Sequence, residues 1–180
     1  MVTIVTHPHP VLREVAQAVP LDDIASPDIA AIIADMKAAL AKEKNGVAIA
    51  APQIGMSLQI FVVAGHVYAM RAGEEYNPAQ HPDRAFINPE IVSVSKKHAP
   101  MHEGCLSIRG EGDIMVWGDV PRAEKIKIIA YDERGKKHTV GASGFLSQIF
   151  QHEIDHLNGI LYIDKALGVY EDETAEPPHE

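Results

Sequence analysis

His152-Glu153-Ile154-Asp155-His156 is an H-E-x-x-H arrangement. On a helix its two imidazoles, four residues apart, project from one face and can grip one divalent metal ion. Glu153 lies beside them, placed to exchange protons with a water at that ion. Two histidines leave a metal short of ligands, because a catalytic site normally has three protein donors and an open position. The third donor therefore decides the chemistry. Proteases that continue as H-x-x-G-x-x-H are excluded, since Gly159 fits but Tyr162 stands where the third histidine is required. A downstream glutamate donor would have to be Glu171 or Glu173, both in an acidic terminal stretch. The remaining soft donor is Cys105, the single cysteine, within Glu103-Gly104-Cys105-Leu106-Ser107. The alternative for a lone intracellular cysteine is a small buried hydrophobe.

The H-E-x-x-H motif needs a helix, and the surrounding pattern supplies one. Ser143 can cap a helix running through Leu157, with Leu146, Ile149, Phe150, Glu153 and Leu157 on the 3.6 period and Asn158-Gly159 as the stop. An earlier amphipathic helix opens at Ser26-Pro27-Asp28, carries Ile29, Ile32, Ile33, Met36 and Leu40 inward, and is expected to end near Asn45-Gly46. Residues 59–64 and 84–95 are rich in Val, Ile and Phe and read as strands, with Asn88-Pro89 interrupting the second. Residues 123–131 alternate polar and apolar before Asp132-Glu133-Arg134-Gly135, and 136–140 can return antiparallel as a hairpin. The expected fold is α+β, with antiparallel or mixed sheets packed around a central helix that carries the metal motif.

The 180 residues fit one domain, expected over 1–168. Residues 169–180 are expected to be an acidic, disordered tail, because 171–180 lack apolar periodicity. The net charge of −9 argues against nucleic acid as a direct partner. One cysteine permits no internal disulfide, and the first residues carry neither a basic start nor a long apolar run. These features predict a cytoplasmic protein with no membrane segment. Outside the motif, His7, His9, His66, His81, His98, His102, His138 and His179 read as surface or loop residues.

Three segments together resemble the peptide deformylase family, in that family's order: Gly46-Val47-Ala48-Ile49-Ala50-Ala51-Pro52-Gln53, then Glu103-Gly104-Cys105-Leu106-Ser107, then Gln151-His152-Glu153-Ile154-Asp155-His156. Residues 9–19, Phe86-Ile87-Asn88-Pro89 and 120–125 extend the resemblance over most of residues 3–165. It implies a hydrolase that removes the N-formyl group from the initiator methionine of new polypeptides and releases formate. It implies that Cys105, His152 and His156 hold one divalent metal ion per chain, natively Fe2+, with Zn2+, Ni2+ or Co2+ able to substitute. One thiolate and two neutral imidazoles would leave the ion a net charge of about +1. The resemblance also makes Glu153 the acid/base, and gives the developing oxyanion the Gln53 side-chain amide and the Leu106 backbone N–H. Gly46, Val47 and Ala48 would form an extended edge for the substrate backbone. Phe145 and Ile149, near His152 on one helical face, would line the methionine pocket, a role compatible with core packing.

The same resemblance pairs Glu103 with Arg122 as a brace beneath the site. Its implied partners are N-formylmethionyl nascent peptides, with transient proximity to the ribosome. Two departures stand out. Ala48 occupies the place of the motif's usual second glycine, which raises the question of a positive φ there. The stretch from Cys105 to Arg122 is longer than the compact family loop, and is expected near the active-site mouth with Trp117 over the peptide. The acidic C-terminus also lacks the basic terminal helix by which some bacterial members contact the ribosome. The competing readings are a metallopeptidase acting on internal bonds and a metal-containing binding protein with little turnover.

Overall fold

The computed structural model describes residues 2–171, so the acidic terminus from residue 172 onward lies outside the described residues. The first helix forms where the apolar spacing demands it. Ser26 caps α1 (Pro27–Leu40) by accepting the Ile29 N–H at 3.3 Å, and Ile29, Ile33, Met36 and Leu40 turn inward. The helix stops before Asn45-Gly46 because Lys42, Glu43 and Lys44 have no apolar side chain to offer the core. Tight turn bonds, Lys42 N–H to Ala39 and Gly46 N–H to Glu43, take over there.

Five strands form the larger sheet, in the order β1 (Ala48–Ala50), β2 (Ile60–Val63), β3 (Arg84–Val94), β6 (Lys125–Tyr131) and β7 (Lys137–Ser143). A second sheet orders β4 (His98–Arg109), β5 (Met115–Ala123) and β8 (Val169–Glu171). All pairings between these strands are antiparallel. A short helix, α2 (Gly65–Ala72), separates β2 from β3. Alternation along β2 explains why it is buried throughout. Ile60 and Val62 pack towards α1, while Phe61 and Val63 pack towards α3 (Phe145–Leu157), so the larger sheet is covered on both faces at β1 and β2, whereas β6 and β7 keep one face towards solvent. Phe150 of α3 meets Phe61 and Phe86 edge-on, at ring-centroid distances of 5.5 and 4.9 Å. Each such fully buried side chain contributes about 1.5–3 kcal/mol.

The expected α+β class holds, and four local expectations change. Ser143 does not cap α3. It ends β7, and Gly144 takes the cap position at φ 56°, ψ −132°, a conformation that a side chain would strain. Asn88-Pro89 does not break β3; Asn88 sits at φ 48° in an irregular register, and its amide exchanges two 2.8 Å hydrogen bonds with the Val19 backbone. Residues 169–171 are not tail. They pair with β5, Tyr170 opposite Trp117, because β5 offers an open edge. The long 107–120 segment is mostly strand, the end of β4 and the start of β5, with its turn at residues 110–114.

Candidate metal centre and peptide cavity

Helix α3 delivers His152, Glu153 and His156, and β4, in the smaller sheet, delivers Cys105. The three candidate donors come together. Their ligand atoms all lie within 4.8 Å of one another, and Cys105 Sγ is 3.2 Å from His156 Nε2. Cys105 and His156 are buried, at 3% and 1% exposure, and the His152 side chain is 11% exposed. Ser107 N–H and the Gln53 side-chain amide also point to the sulfur, at 3.4 and 3.5 Å.

The histidines are prepared differently. Glu103 Oε2 lies 2.9 Å from His152 Nδ1, which fixes that ring and leaves its Nε2 for the cluster. Burial disfavours charge on His152, but Cys105 and Glu103 overcome this and hold its pKa well above the ordinary value. Burial, reinforced by the charges of His152 and Arg122, pushes His156 well below. That ring is neutral and ready to donate a lone pair. A soft sulfur and two imidazole nitrogens, converging and partly charge-compensated, form a donor set that fits a divalent transition metal.

Behind the centre runs a buried chain of alternating charge. Arg122 donates to both Glu103 oxygens, at 2.7 and 2.9 Å, and to Asp155 at 2.6 Å. Asp155 in turn accepts from Lys165 at 2.6 and 2.8 Å. The expected Glu103–Arg122 brace is therefore present, and Asp155 and Lys165 extend it towards the surface. Burial pushes the Glu103 carboxyl up, yet the hydrogen bonds from Arg122 and His152 prevail and hold it at about 2. Asp155 lies inside the metal motif, and its position is what the motif's spacing alone did not reveal.

Glu153 is buried at 4% exposure, and its Oε2 has no hydrogen-bond partner among the described residues. Burial raises its pKa to about 7, with Glu103 adding to this while His152 and Arg122 pull it back. A carboxylate so placed can both take and return a proton near neutral pH. Gln53 is 2% exposed. Its Oε1 accepts the Ala50 N–H at 2.8 Å, which turns its amide nitrogen towards Cys105 and the Ser107 hydroxyl.

A cavity of about 270 Å³ opens over these groups. Its floor is α3, through Phe145, Ile149, His152 and Glu153. One wall is Gly46, Val47 and Ala48 at the start of β1, an edge strand of its sheet; the other comes from β4, also an edge strand. Pairing of β4 with β5 lapses between Gly104 and Arg109, the stretch that carries Cys105 and Leu106. Ala48 lies in regular strand and has no positive φ, so the backbone there does not require glycine. Among the histidines expected at the surface, His81 is buried and His102 lines the cavity. Glu43, Arg109 and Met115 at the mouth were not singled out by the sequence. Arg109 and Met115 enter because the β4–β5 hairpin folds over the site, and Glu43 comes from the turn after α1.

A buried Cys/His/His cluster with an adjoining partnerless carboxylate, set on an α+β scaffold, defines a hydrolase class with a candidate metal centre. The family model for polypeptide deformylase matches residues 1–170, and the chain belongs to that family. It is an enzyme that hydrolyses a formyl group from peptides. A peptide deformylase of Chlorobaculum parvum is 40% identical over 160 residues, covering 89% of this chain and 76% of the relative. The actinonin-bound crystal structure of a class I type b peptide deformylase from Acinetobacter baumannii matches with a TM-score of 0.76 at 30% identity, covering 92% of this chain and 97% of that one. The Met-Ala-Ser-bound structure of the same enzyme matches with a TM-score of 0.74 at 30% identity, covering 90% and 96%.

Proposed function

We propose that this chain removes the N-formyl group from the initiator methionine of newly made polypeptides and releases formate. The observation that carries the reading is the juxtaposition of the Cys105, His152 and His156 donor atoms with the buried, unpartnered Glu153 carboxylate at the floor of an edge-lined cavity. Cys105, His152 and His156 would hold one divalent ion, Fe2+ in the native state, with Zn2+, Ni2+ or Co2+ as substitutes. A bound ion supplies a Lewis acid that polarises the formyl carbonyl and makes water acidic.

The chain's own residues do the rest. Glu153 takes the proton from the attacking water and delivers it to the departing amine nitrogen, so one carboxylate serves both halves of the reaction. The Gln53 amide and the Leu106 N–H donate to the oxygen on which negative charge develops, and each donor is worth about 3–4 kcal/mol in a preorganised site. The lapse in strand pairing around Leu106 is consistent with a backbone free for this purpose. The substrate backbone lies as an added strand along Gly46, Val47 and Ala48. Phe145 and Ile149 receive the methionine side chain. The Met-Ala-Ser peptide bound by the Acinetobacter relative supports a peptide occupant of this cavity.

We take residues 1–168 with the short strand β8 as one catalytic domain, α3 its central element. The enzyme works in the cytoplasm on nascent chains, near the ribosome only transiently and without gripping nucleic acid. Among the described residues, no helix is long and apolar enough to cross a membrane. The test is formate release from formyl-Met-Ala-Ser by protein prepared without oxygen and loaded with Fe2+ or Ni2+. Release that vanishes in Cys105→Ala, together with the bound metal, supports the assignment. Full release with metal retained in that variant overturns the ligand set.

A further inference from the structure

The cavity has an aromatic wall that the proposed chemistry leaves unused. The His102 ring lies flat on the Trp117 indole, centroids 4.8 Å apart and planes 6° from parallel. Tyr170 stacks on the same imidazole at 5.6 Å and 26°, with its hydroxyl 2.7 Å from His102 Nδ1. The rings come from three strands: β4, β5 and β8. Register explains why they meet. Gly104 pairs with Trp117 and Trp117 with Tyr170, and His102, two residues before Gly104, falls on the same face.

Gly104 makes the arrangement possible. A Cβ there would lie 3.0 Å from Trp117 Cε3 and Cζ3 and 2.9 Å from Met115 Cε, so the indole occupies the space a side chain would claim. This places Trp117 across the residue next to Cys105. Trp117 and His102 both line the cavity, and Trp117 is buried while Tyr170 is the exposed end of the stack. Trp117 and His102 therefore form the cavity's share of the stack, and Tyr170 backs His102 from outside the lining.

An extended peptide with its formyl end at the centre must pass this wall within its first few residues, since each residue advances the chain by about 3.3 Å. Flat π faces reward planar and apolar side chains. We propose that Trp117, His102 and Tyr170 form a specificity wall that selects substrates with an aromatic side chain at one of the two positions after methionine. Tyr170 acts through His102, holding that ring against the indole by stacking and by its hydroxyl. The inference rests on the deformylase reading for its substrate, and goes beyond it in naming which peptides are preferred and by which residues.

Trp117 is the protein's single tryptophan, so its emission reports the wall directly. The experiment pairs two readouts on the metal-loaded full chain. In the first, Trp117 fluorescence follows titration with Met-Ala-Ser, Met-Phe-Ser and Met-Ala-Phe. In the second, formate release gives kcat/KM for the three formylated peptides. At least one aromatic peptide should bind and react about threefold to tenfold better than the alanine–serine reference, the range expected of one aromatic pair. The preference should fall to near one in His102→Ala and in Tyr170→Ala. Equal binding and equal kcat/KM for all three peptides in the wild type overturn the wall, as does a preference that survives both variants. If formate release fails while the fluorescence preference persists and is lost in the variants, the wall stands and the deformylase reading falls. Formate release without any preference has the opposite meaning.

Discussion

Replacing Glu103 by Gln removes one charge from the buried chain while keeping its shape. The magnitude follows from the carboxyl's environment. With its pKa held at about 2 against an ordinary 4.5, and each tenfold step in proton affinity worth about 1.4 kcal/mol, the folded state favours the ionised group by about 3 kcal/mol. A group depressed in this way stabilises the fold fully above its unfolded value, and the contribution fades as pH falls from 4.5 towards 2. Glu103→Gln should therefore be less stable than wild type by about 3 kcal/mol at pH 7, and the difference should shrink steadily below about pH 4.5. Urea unfolding of the metal-free proteins, followed by Trp117 emission from pH 7 to pH 3, measures the difference directly. Taking the difference between the two proteins removes the carboxylates that are remote from Glu103 and its partners. A gap that is the same at pH 7 and pH 3, or one under about 1 kcal/mol at pH 7, would refute the idea that Arg122 and His152 outweigh the cost of burying this charge.

Glu153→Ala should lower formate release by about a hundredfold to ten-thousandfold, the range of general acid–base catalysis. Metal content measured on the same sample should stay at the wild-type level, because the carboxylate is not among the clustered donors. Ala48→Gly should cost about 0.5–1 kcal/mol in urea unfolding, since a strand residue without positive φ gains nothing from glycine. It should bring no gain in kcat/KM. Gly104→Ala should cost about 1–3 kcal/mol by overpacking against Trp117 and Met115. A shifted Trp117 emission in the folded variant checks that the strain falls on the indole.

The metal cluster was legible in the sequence because its spacing is a local property. His156 follows His152 by four positions, and a helix converts that number into a shared face. Cys105 could be attached to them only through its segment's likeness to a family, since nothing in 46 intervening residues says which strand will cross α3. Apolar periodicity located α1 and α3 and one end of each, the Ser26 cap and Leu157, but misplaced the other end, where backbone geometry decides: α1 stops at Leu40, and Gly144 rather than Ser143 caps α3. The β4–β5 hairpin and β8 escaped detection for a different reason. Residues 98–109 and 115–123 mix His, Gly, Pro and charged residues, because one end braces the candidate metal site with Glu103 and Arg122 and the other lines a cavity. Function there overrides the clean alternation by which a strand is recognised. Asp155 and Lys165 were missed because a buried ion chain is a three-dimensional fact with no sequence period.

The cavity separates two sheet edges, β1 on one side and β4 on the other, and in its floor Ile149 and Glu153 are each 4% exposed. A loop on a folded protein has no free end to thread to that depth, and a strand already paired on both sides has no backbone groups left to offer. Only a slack chain terminus can reach the bottom. The enzyme is thus in a race with its own substrates: each new polypeptide is accessible until its first residues find their place in a fold, and how fast an N-terminus becomes structured sets how long the reaction has to occur.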